Sequence, residues 1–461
     1  MISHRNERNP DPTTPPYRLT KPSTPAKNRR RLRHHRRASL IRGLLVLAGL
    51  ASWWNAAAQE ALRASLAGQA ALEAKRQRIA AGWGDLQLGP VKLDLNSQLA
   101  LSASDNVRYR RYDKDEDLIV SPSINARALW PVTEKNVLSF GAGIGYNKYV
   151  SNSDLDYLFI TPGSDLTFDL YVGDFVINFH NRFHYTADVA SQTSQPGQLG
   201  GRQNYGYFDD YLGVLALWDL NKAVVSFNYD HQFYFATTSV YDYTDHTSEL
   251  FGLRTAWLIT PVTPLGLEFG FGLTDYNQNP SSGLYKMNDL MQYSVGAFYE
   301  MPSGKLSSLR LAAGYVVYAP TTDVNANGAD AMDAFYADLT FNHRITERIR
   351  YNLALGQQIR AGLNAQTLRF YYARVGVSWD FFRNVNLATS AGYEKGEESG
   401  GQAFSEDFDR YYGTVSVTKR LGADWWTTLS YSHYQRDSDG AFSAYRSYAE
   451  NRLVLSVSYA F

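Results

Sequence analysis

The stretch Glu450–Phe461, ENRLVLSVSYAF, decides how the rest of the chain is interpreted. Leu453, Leu455, Val457 and Tyr459 alternate with small or mostly polar residues, and the segment ends on an aromatic residue. Successive side chains of a β-strand point to opposite faces, so this period of two predicts a strand with one apolar face. Such a strand is expected at the boundary between an apolar and a polar medium.

This segment resembles the last strand of bacterial outer-membrane β-barrels. In those proteins the barrel-assembly machinery reads the last strand as an insertion signal, a role that the resemblance assigns to Leu455, Val457, Tyr459 and Phe461. The apolar face would contact lipid, and the opposite face would line a lumen. The resemblance therefore implies two partners, the assembly machinery and a lipopolysaccharide-containing outer membrane.

Residues 1–58 predict a secretory signal peptide with a long basic leader. RRRLRHHRR (Arg29–Arg37) precedes the apolar run Leu40–Trp54, and Ala56–Ala58 offers a small-residue cleavage site. The run is too short and interrupted to span about 30 Å of hydrocarbon, which disfavours the alternative of a membrane anchor. The segment holds 12 of the 45 basic and 2 of the 45 acidic residues, so 33 basic and 43 acidic residues remain, a net charge of about −10.

Residues 59–86 predict a short periplasmic helix and linker. The stretch 59–80 is rich in Ala, Leu, Glu, Lys and Arg, and Leu62, Leu66 and Ala70 recur at a spacing of four. A partner-binding coiled coil is the alternative, but the pattern lasts too few turns for one. The helix is therefore expected only to precede the first strand.

Residues 87–461 show a period of two in many segments, as in Val225, Phe227 and Tyr229. Alternation alone fits a soluble sandwich or a membrane barrel, but the connection lengths distinguish them. Short turns are predicted at 132–136, 173–174, 221–222, 261–264, 303–307, 346–347, 383–384 and 422–424. Longer loops are predicted at 106–116, 151–156, 190–205, 238–244, 277–287, 321–331, 361–365, 397–406 and 437–445. Their strict alternation predicts a transmembrane antiparallel up-and-down β-barrel of about 18 strands with both termini in the periplasm.

Two further features favour a membrane barrel. After the leader no apolar stretch reaches 18 residues, and only helices and closed barrels satisfy every backbone group in lipid. Amphipathic aromatic residues collect at membrane interfaces, and six tryptophans flank the short turns. These are Trp130, Trp218, Trp257, Trp379, Trp425 and Trp426.

Motifs for catalysis, metal binding or nucleotide binding are missing, since the chain contains no HExxH, CxxC, P-loop or GxSxG. His180 and His184 share a strand face but lie about 13 Å apart, too far for one metal ion. His231 is expected on the lipid-facing wall, where a hydrolase would also need a serine that the sequence does not identify. We therefore expect no enzyme, no cofactor, no metal site and no nucleic-acid partner.

The expected lumen face carries charges of both signs. The lumen-lining candidates are Arg127, Asp169, Arg182, Asp230, Arg254, Glu268, Arg310, Asp338, Arg350, Arg360 and Arg374. Ion pairs between neighbouring strands could offset the desolvation of these charges. One interpretation is a polar conduit for water-soluble solutes, and the other is a structural salt-bridge network in a narrow or plugged barrel.

Gly89–Val107, which contains Asp105-Asn106, resembles the opening strand of the beta-barrel porin 2 family. Trp130–Tyr149 and Leu250–Gly272 are similar to the strand–turn–strand units of that family, and the resemblance covers roughly residues 87–461. It implies a porin-like passage for hydrophilic solutes. Because some relatives are associated with exopolysaccharide synthesis and export systems, it also implies a link to polysaccharide export. The alternatives are a non-conducting barrel that binds partners through external loops such as Tyr241–Asp245, and an outer-membrane hydrolase.

Overall fold

The computed structural model describes residues 86–187, 206–281, 286–303, 306–321, 331–362, 367–399, 406–439 and 446–461. The predicted signal peptide and the helix predicted within 59–80 lie outside these residues. A short strand, β1 (Leu86–Leu88), precedes eighteen longer strands in the described part of the chain.

The first nine long strands are β2 (Val91–Ser104), β3 (Asp117–Pro131), β4 (Val137–Tyr149), β5 (Tyr157–Val172), β6 (Phe175–Thr186), β7 (Tyr207–Asp219), β8 (Ala223–Ala236), β9 (His246–Thr260) and β10 (Thr263–Tyr276). The other nine are β11 (Leu290–Ser303), β12 (Ser307–Pro320), β13 (Met332–Arg344), β14 (Ile349–Ala361), β15 (Thr367–Phe382), β16 (Val385–Ser399), β17 (Glu406–Arg420), β18 (Trp425–Asp439) and β19 (Tyr448–Ala460). Two short 3₁₀ helices, Ser153–Leu155 and Ser239–Thr244, lie in the connections. Among the described residues, no helix has the length and apolarity to cross a membrane.

The sheet closes on itself. Each strand from β2 to β19 pairs antiparallel with the next, and β19 pairs with β2 from Asn96 opposite Ala460 to Ser104 opposite Arg452. Strand β1 forms a small hairpin with the start of β2, and Phe461 donates its backbone N–H to Leu95 at 3.0 Å. The predicted antiparallel barrel of about 18 strands is confirmed, and only the short β1 was not predicted.

The connections alternate between a short-turn rim, where none exceeds five residues, and a loop rim, where all are longer except the five-residue connection between β14 and β15. Strands β16 and β18 continue to Ser399 and Asp439, inside segments that the sequence predicts as loops. Beyond the apolar band both faces of these strands are polar, as Glu397 and Glu398 illustrate. The period-two signal therefore disappears before the ladder of hydrogen bonds does.

The outward face is apolar and exposed, as expected for lipid contact. Five tryptophans lie exposed on this face near the short-turn rim: Trp130, Trp218, Trp257, Trp379 and Trp425. The ring of Trp425 packs 4.7 Å from that of Tyr459. Trp426 is an exception to the predicted girdle, because the residue after Trp425 on a strand necessarily points to the inner face.

Candidate functional site

The inner wall of the barrel is the candidate site, and all eleven predicted lumen-lining residues lie on it. Contacts between distant strands identify this face. The Tyr336 hydroxyl on β13 donates to Glu268 Oε1 on β10 at 2.9 Å. Both residues are 1% exposed, whereas the residues directly before and after each of them are exposed, so this contact lies on the inside of the closed sheet.

One charge network joins strands β9 to β13. Glu268, which is 1% exposed, lies 3.6 Å from Arg254 Nε and 3.5 Å from Arg310 Nη2. Arg310 also contacts Asp338 Oδ1 at 3.1 Å, and Tyr336 contributes the hydrogen bond described above. A buried carboxylate is tolerated when paired charges and further hydrogen bonds compensate for its desolvation. Glu300 on β11 is a fifth charged member, 3.0 Å from Arg254 Nη2 and 3.4 Å from Arg310 Nε. The sequence predicted the other four, but not Glu300, as lumen-lining candidates.

A second network joins β15 to β18. Glu394 is fully buried and accepts hydrogen bonds from Arg374 Nη2 at 2.8 Å and Arg410 Nη1 at 3.3 Å. Farther toward the loop rim, Arg436 Nη2 donates to Glu406 Oε1 at 2.9 Å. Of these five residues, Arg374 is among the candidates named above, and the period of two also predicted Glu394 on the lumen face. Arg410 and Arg436 share the inward parity of their strands, so the sequence carried a signal for them.

A third network occupies β6 and β8. His180 Nε2 lies 2.7 Å from Asp230 Oδ1, and Arg182 Nη2 donates to the same oxygen at 2.9 Å. The other ring nitrogen of His180 lies 3.0 Å from Asn178 Oδ1. His184 is not part of this group, and the described residues contain no cluster of His, Cys, Asp and Glu suited to a metal ion. Asp230 thus acts as a shared acceptor within the wall.

The remaining candidates also lie against the wall. Arg350 pairs with Asp380 at 3.4 Å, close to the short-turn rim. Asp169 is buried and accepts a hydrogen bond of 2.6 Å from an amide on the next strand. Arg360 places its guanidinium 5.4 Å from an aromatic ring centre, and Arg127 is half-buried on β3. The charged side chains are thus distributed around the barrel.

Aromatic rings are laid over glycines on this inner wall. Tyr412 lies directly opposite Gly392 in the β16–β17 register, and a Cβ on that glycine would lie 2.2 Å from the ring's Cζ. Phe408 covers the opposite Gly396 in the same way, with a distance of 2.1 Å. Further glycines opposite an aromatic residue are Gly145, Gly266, Gly314 and Gly356. Because glycine has no side chain, each ring can lie flat on the sheet.

Several arginines stack on these flat rings. The guanidinium of Arg254 lies 4.0 Å from the ring centre of Phe298, and that of Arg436 lies 4.1 Å from Phe408. Planar guanidinium groups favour such stacking. Arginine side chains consequently cover several of the aromatic rings on the inner wall, so the surface of the wall is polar.

The short-turn half of β16 to β19 has a different lining. Hydroxyl side chains cover this part of the inner face: Ser390, Thr414, Ser416, Thr418, Thr428, Ser430, Ser432, Ser456 and Ser458. Thr414 and Ser432 hydrogen-bond across the strands at 3.1 Å, and Thr418 and Thr428 do so at 2.9 Å. Small hydroxyl groups offer both donors and acceptors to water or to a polar solute. We call this surface the hydroxyl wall.

His231 lies on the outward face, as predicted. Its Nδ1 is 2.7 Å from Glu249 Oε1, and the Tyr229 hydroxyl donates to Glu249 Oε2 at 2.6 Å. Within the described part of the chain, His231 is thus paired with a carboxylate and not with a serine. This geometry does not form the nucleophile–base pair that the hydrolase alternative requires.

The loop Tyr241–Asp245, named above as a possible partner-binding loop, does not expose its side chains. Most of it forms the 3₁₀ helix Ser239–Thr244, and Asp242 and Tyr243 are 9% and 8% exposed. Tyr243 packs into a cluster with inner-wall residues of β10 to β12. Burial raises the pKa of Asp245, and the nearby Asp242 charge raises it further. The loop therefore stabilises the rim.

The comparisons with known proteins concern the fold. No family model matches the chain, and no curated protein matches it either. Among solved structures, the chain is similar to OpdL of Pseudomonas aeruginosa (TM-score 0.44, 12% identity, 81% of this chain and 99% of that chain). Pseudomonas aeruginosa OccK2 (OpdF) in complex with glucuronate gives the same TM-score, identity and coverages. OpdQ of that organism has a TM-score of 0.44 and 10% identity, over 81% of this chain and 100% of that chain. The resemblance to the beta-barrel porin 2 family stays a prediction.

Strand pairing and surface chemistry settle the class of protein. The described strands close into a barrel whose outward face is apolar, with an aromatic girdle near its short-turn rim, and whose inward face is polar. A closed barrel leaves no unpaired sheet edge in lipid, and this distribution of side chains is that of outer-membrane barrels. The chain is an outer-membrane β-barrel.

Proposed function

We propose that this barrel is a porin-like passage for hydrophilic solutes across the outer membrane. The observation that carries the proposal is the inner wall, where the charges are paired along the sheet and the aromatic rings lie flat on glycines. An antiparallel barrel of 16–18 strands is wide enough to hold an aqueous channel. Side chains that lie along the wall are compatible with an unobstructed centre.

Polysaccharide export is a narrower form of this proposal. Its support is the hydroxyl wall, since serine and threonine side chains can exchange hydrogen bonds with sugar hydroxyls as a chain slides past. The buried state of Tyr207, Tyr276 and Tyr318 weighs against stacking of sugar rings on these particular residues. Neutral, highly hydroxylated solutes are therefore the solutes that we propose to test first.

The rival proposal is a sealed barrel that acts through its loops. Its support is the density of ion pairs in the loop-rim half, where Glu394, Glu398 and Glu450 are fully buried. Such networks also occur where a barrel is only structural. Conductance separates the two proposals directly.

The test is a planar-bilayer recording of the chain without residues 1–58. A passage predicts steady single-channel conductance that neutral oligosaccharides reduce reversibly. The blocking variant is Ser416→Trp, which places an indole on the hydroxyl wall and should lower the conductance. The control is Val417→Trp, because Val417 is exposed on the lipid-facing side of the same strand. A correctly folded barrel that never conducts would refute the passage and favour the sealed barrel.

A further inference from the structure

The connection between β2 and β3 folds into the barrel at the loop rim. Tyr109, near the start of this connection, is 1% exposed and packs in a cluster with Tyr412, Tyr434 and Tyr448. These three tyrosines lie on the inner faces of β17, β18 and β19, as the position of Tyr412 over Gly392 shows. A side chain from a rim connection therefore occupies part of the loop-rim mouth.

Specific contacts hold Tyr109 in this place. Its ring meets that of Tyr448 edge to face, with the centroids 5.2 Å apart. Arg452 Nη2 donates to the Tyr109 hydroxyl at 2.9 Å. An aromatic ring that has edge contacts and a satisfied hydroxyl is well fixed. The seat for this ring is thus built from residues of the barrel wall.

The base of the connection is fixed as well. Asn106 is fully buried, and its Nδ2 donates to Ala449 O at 2.8 Å and Arg110 O at 2.7 Å. Asn106 Oδ1 accepts the backbone N–H of Arg110 at 2.9 Å, which closes a tight turn around Tyr109. Arg108 Nη2 lies 2.7 Å from Asp154 in the β4–β5 connection, which is the next connection along the loop rim, so these two connections are joined.

The backbone at Tyr109 gives independent evidence that the seat is specific. Its φ is +52°, in the left-handed region that favours glycine and disfavours a bulky residue. Strained conformations persist where the surroundings determine them, and they concentrate at functional segments. A tyrosine occupies this position although glycine would fit the backbone better.

We infer that Tyr109 anchors the β2–β3 connection over the inner wall of β17 to β19, so that this connection narrows the loop-rim mouth and limits the size of the solutes that enter. The size limit rests on the proposed function, because only a conducting barrel can limit the size of the solutes that pass. Solutes that pass the mouth would meet the connection anchored by Tyr109 before they reach the hydroxyl wall. Release of this side chain should widen the mouth without affecting the wall itself.

The test compares Tyr109→Gly with Tyr112→Ala in the full barrel. Glycine accepts the left-handed backbone, so Tyr109→Gly removes the ring without adding strain. Tyr112 lies in the same connection but is 67% exposed. The measurements are single-channel conductance and the largest neutral polyethylene glycol that enters the channel. We expect both to rise for Tyr109→Gly and to stay at the wild-type values for Tyr112→Ala. A conducting wild type with an unchanged Tyr109→Gly variant would overturn the inference and leave the passage intact.

A second readout does not depend on conduction. The connection contains the trypsin sites Arg108, Arg110, Arg111 and Lys114. If Tyr109 fastens the connection, trypsin should cleave there faster in the detergent-refolded Tyr109→Gly variant than in Tyr112→Ala. Equal cleavage rates would show that Tyr109 does not anchor the connection, and this result can be obtained even if the barrel does not conduct. A folded barrel without conductance would by itself refute only the proposal that the barrel is a passage.

Discussion

Substitution of a glycine beneath a flat ring should destabilise the barrel by a predictable amount. In Gly392→Ala, the new Cβ would lie 2.2 Å from Tyr412 Cζ, whereas ordinary contact begins at 3.4 Å. The ring must therefore move by about 1.2 Å, yet it is 7% exposed and packed against Tyr109, Tyr434 and Tyr448. Overpacking of this kind costs about 1–3 kcal/mol.

Gly413→Ala is the matched control. Gly413 lies on β17, and the nearest atom to a methyl carbon added there would be 3.9 Å away, so the methyl group has room. Because glycine weakens a strand by about 0.5–1 kcal/mol relative to alanine, Gly413→Ala should be neutral or stabilising. The assay is urea unfolding from lipid vesicles, followed by tryptophan fluorescence.

A double variant identifies the cause of the loss. If the clash is with the ring, Gly392→Ala should cost much less in a Tyr412→Ala background than in the wild type, a non-additivity expected of residues in contact. Equal free energies of unfolding for Gly392→Ala and Gly413→Ala would refute the reasoning. The same result would remove the structural support for rings that lie flat along the wall.

The other predictions concern the buried charges, the rim and the last residue. Glu268→Gln should destabilise the barrel in the same unfolding assay by less than the about 3–5 kcal/mol of a buried charge left without any partner, because Arg254 and Arg310 keep Glu300 and Asp338 as counter-charges. The control is Asp380→Asn, which breaks the ion pair between Arg350 and Asp380, whose side chains are 32% and 38% exposed, and it should cost less than about 1 kcal/mol. Burial opposes ionisation of Asp156, but hydrogen bonds from Lys148 and the Tyr149 N–H outweigh the effect of burial and lower the pKa of Asp156 from 3.8. The ionised Asp156 should therefore stabilise the rim above pH 3.8. This stabilisation should disappear as the pH falls through the lower pKa of the folded state. Asp156→Asn should accordingly speed amide exchange in its connection at neutral pH. Asp245→Asn should do so less, because burial and the nearby Asp242 charge raise the pKa of Asp245, and an asparagine oxygen can still accept the Ala236 N–H. Deletion of Phe461 should reduce the amount of barrel recovered in the outer-membrane fraction of cells; unchanged recovery would contradict its role in insertion.

The fold was largely predictable because the signals for it are local. The period of two marks each strand, the alternation of connection lengths gives the strand count, and the apolar face selects lipid as the solvent. The same parity rule places residues such as Arg254, Glu268 and Arg310 on the inner wall. The rule also explains the misplaced Trp426, since two consecutive tryptophans on a strand cannot both face the lipid.

The partners on the inner wall were not predictable in this way. Tyr336 reaches Glu268 from three strands away, and Tyr412 lies over Gly392 because the two residues are opposite in the register. A shift of one residue in that register would bring each ring against a different neighbour. The inward position of Tyr109 depends on three tyrosines more than three hundred residues farther along the chain.

The sequence by itself determined that this chain forms a closed membrane barrel with a polar interior, because the alternation of apolar and polar residues is a local property of each strand. Only the tertiary structure decided which charges neutralise one another, which rings lie flat and which connection enters the mouth. Those contacts depend on the stagger between strands and on the closure of β19 onto β2, which bring together residues that no local pattern relates.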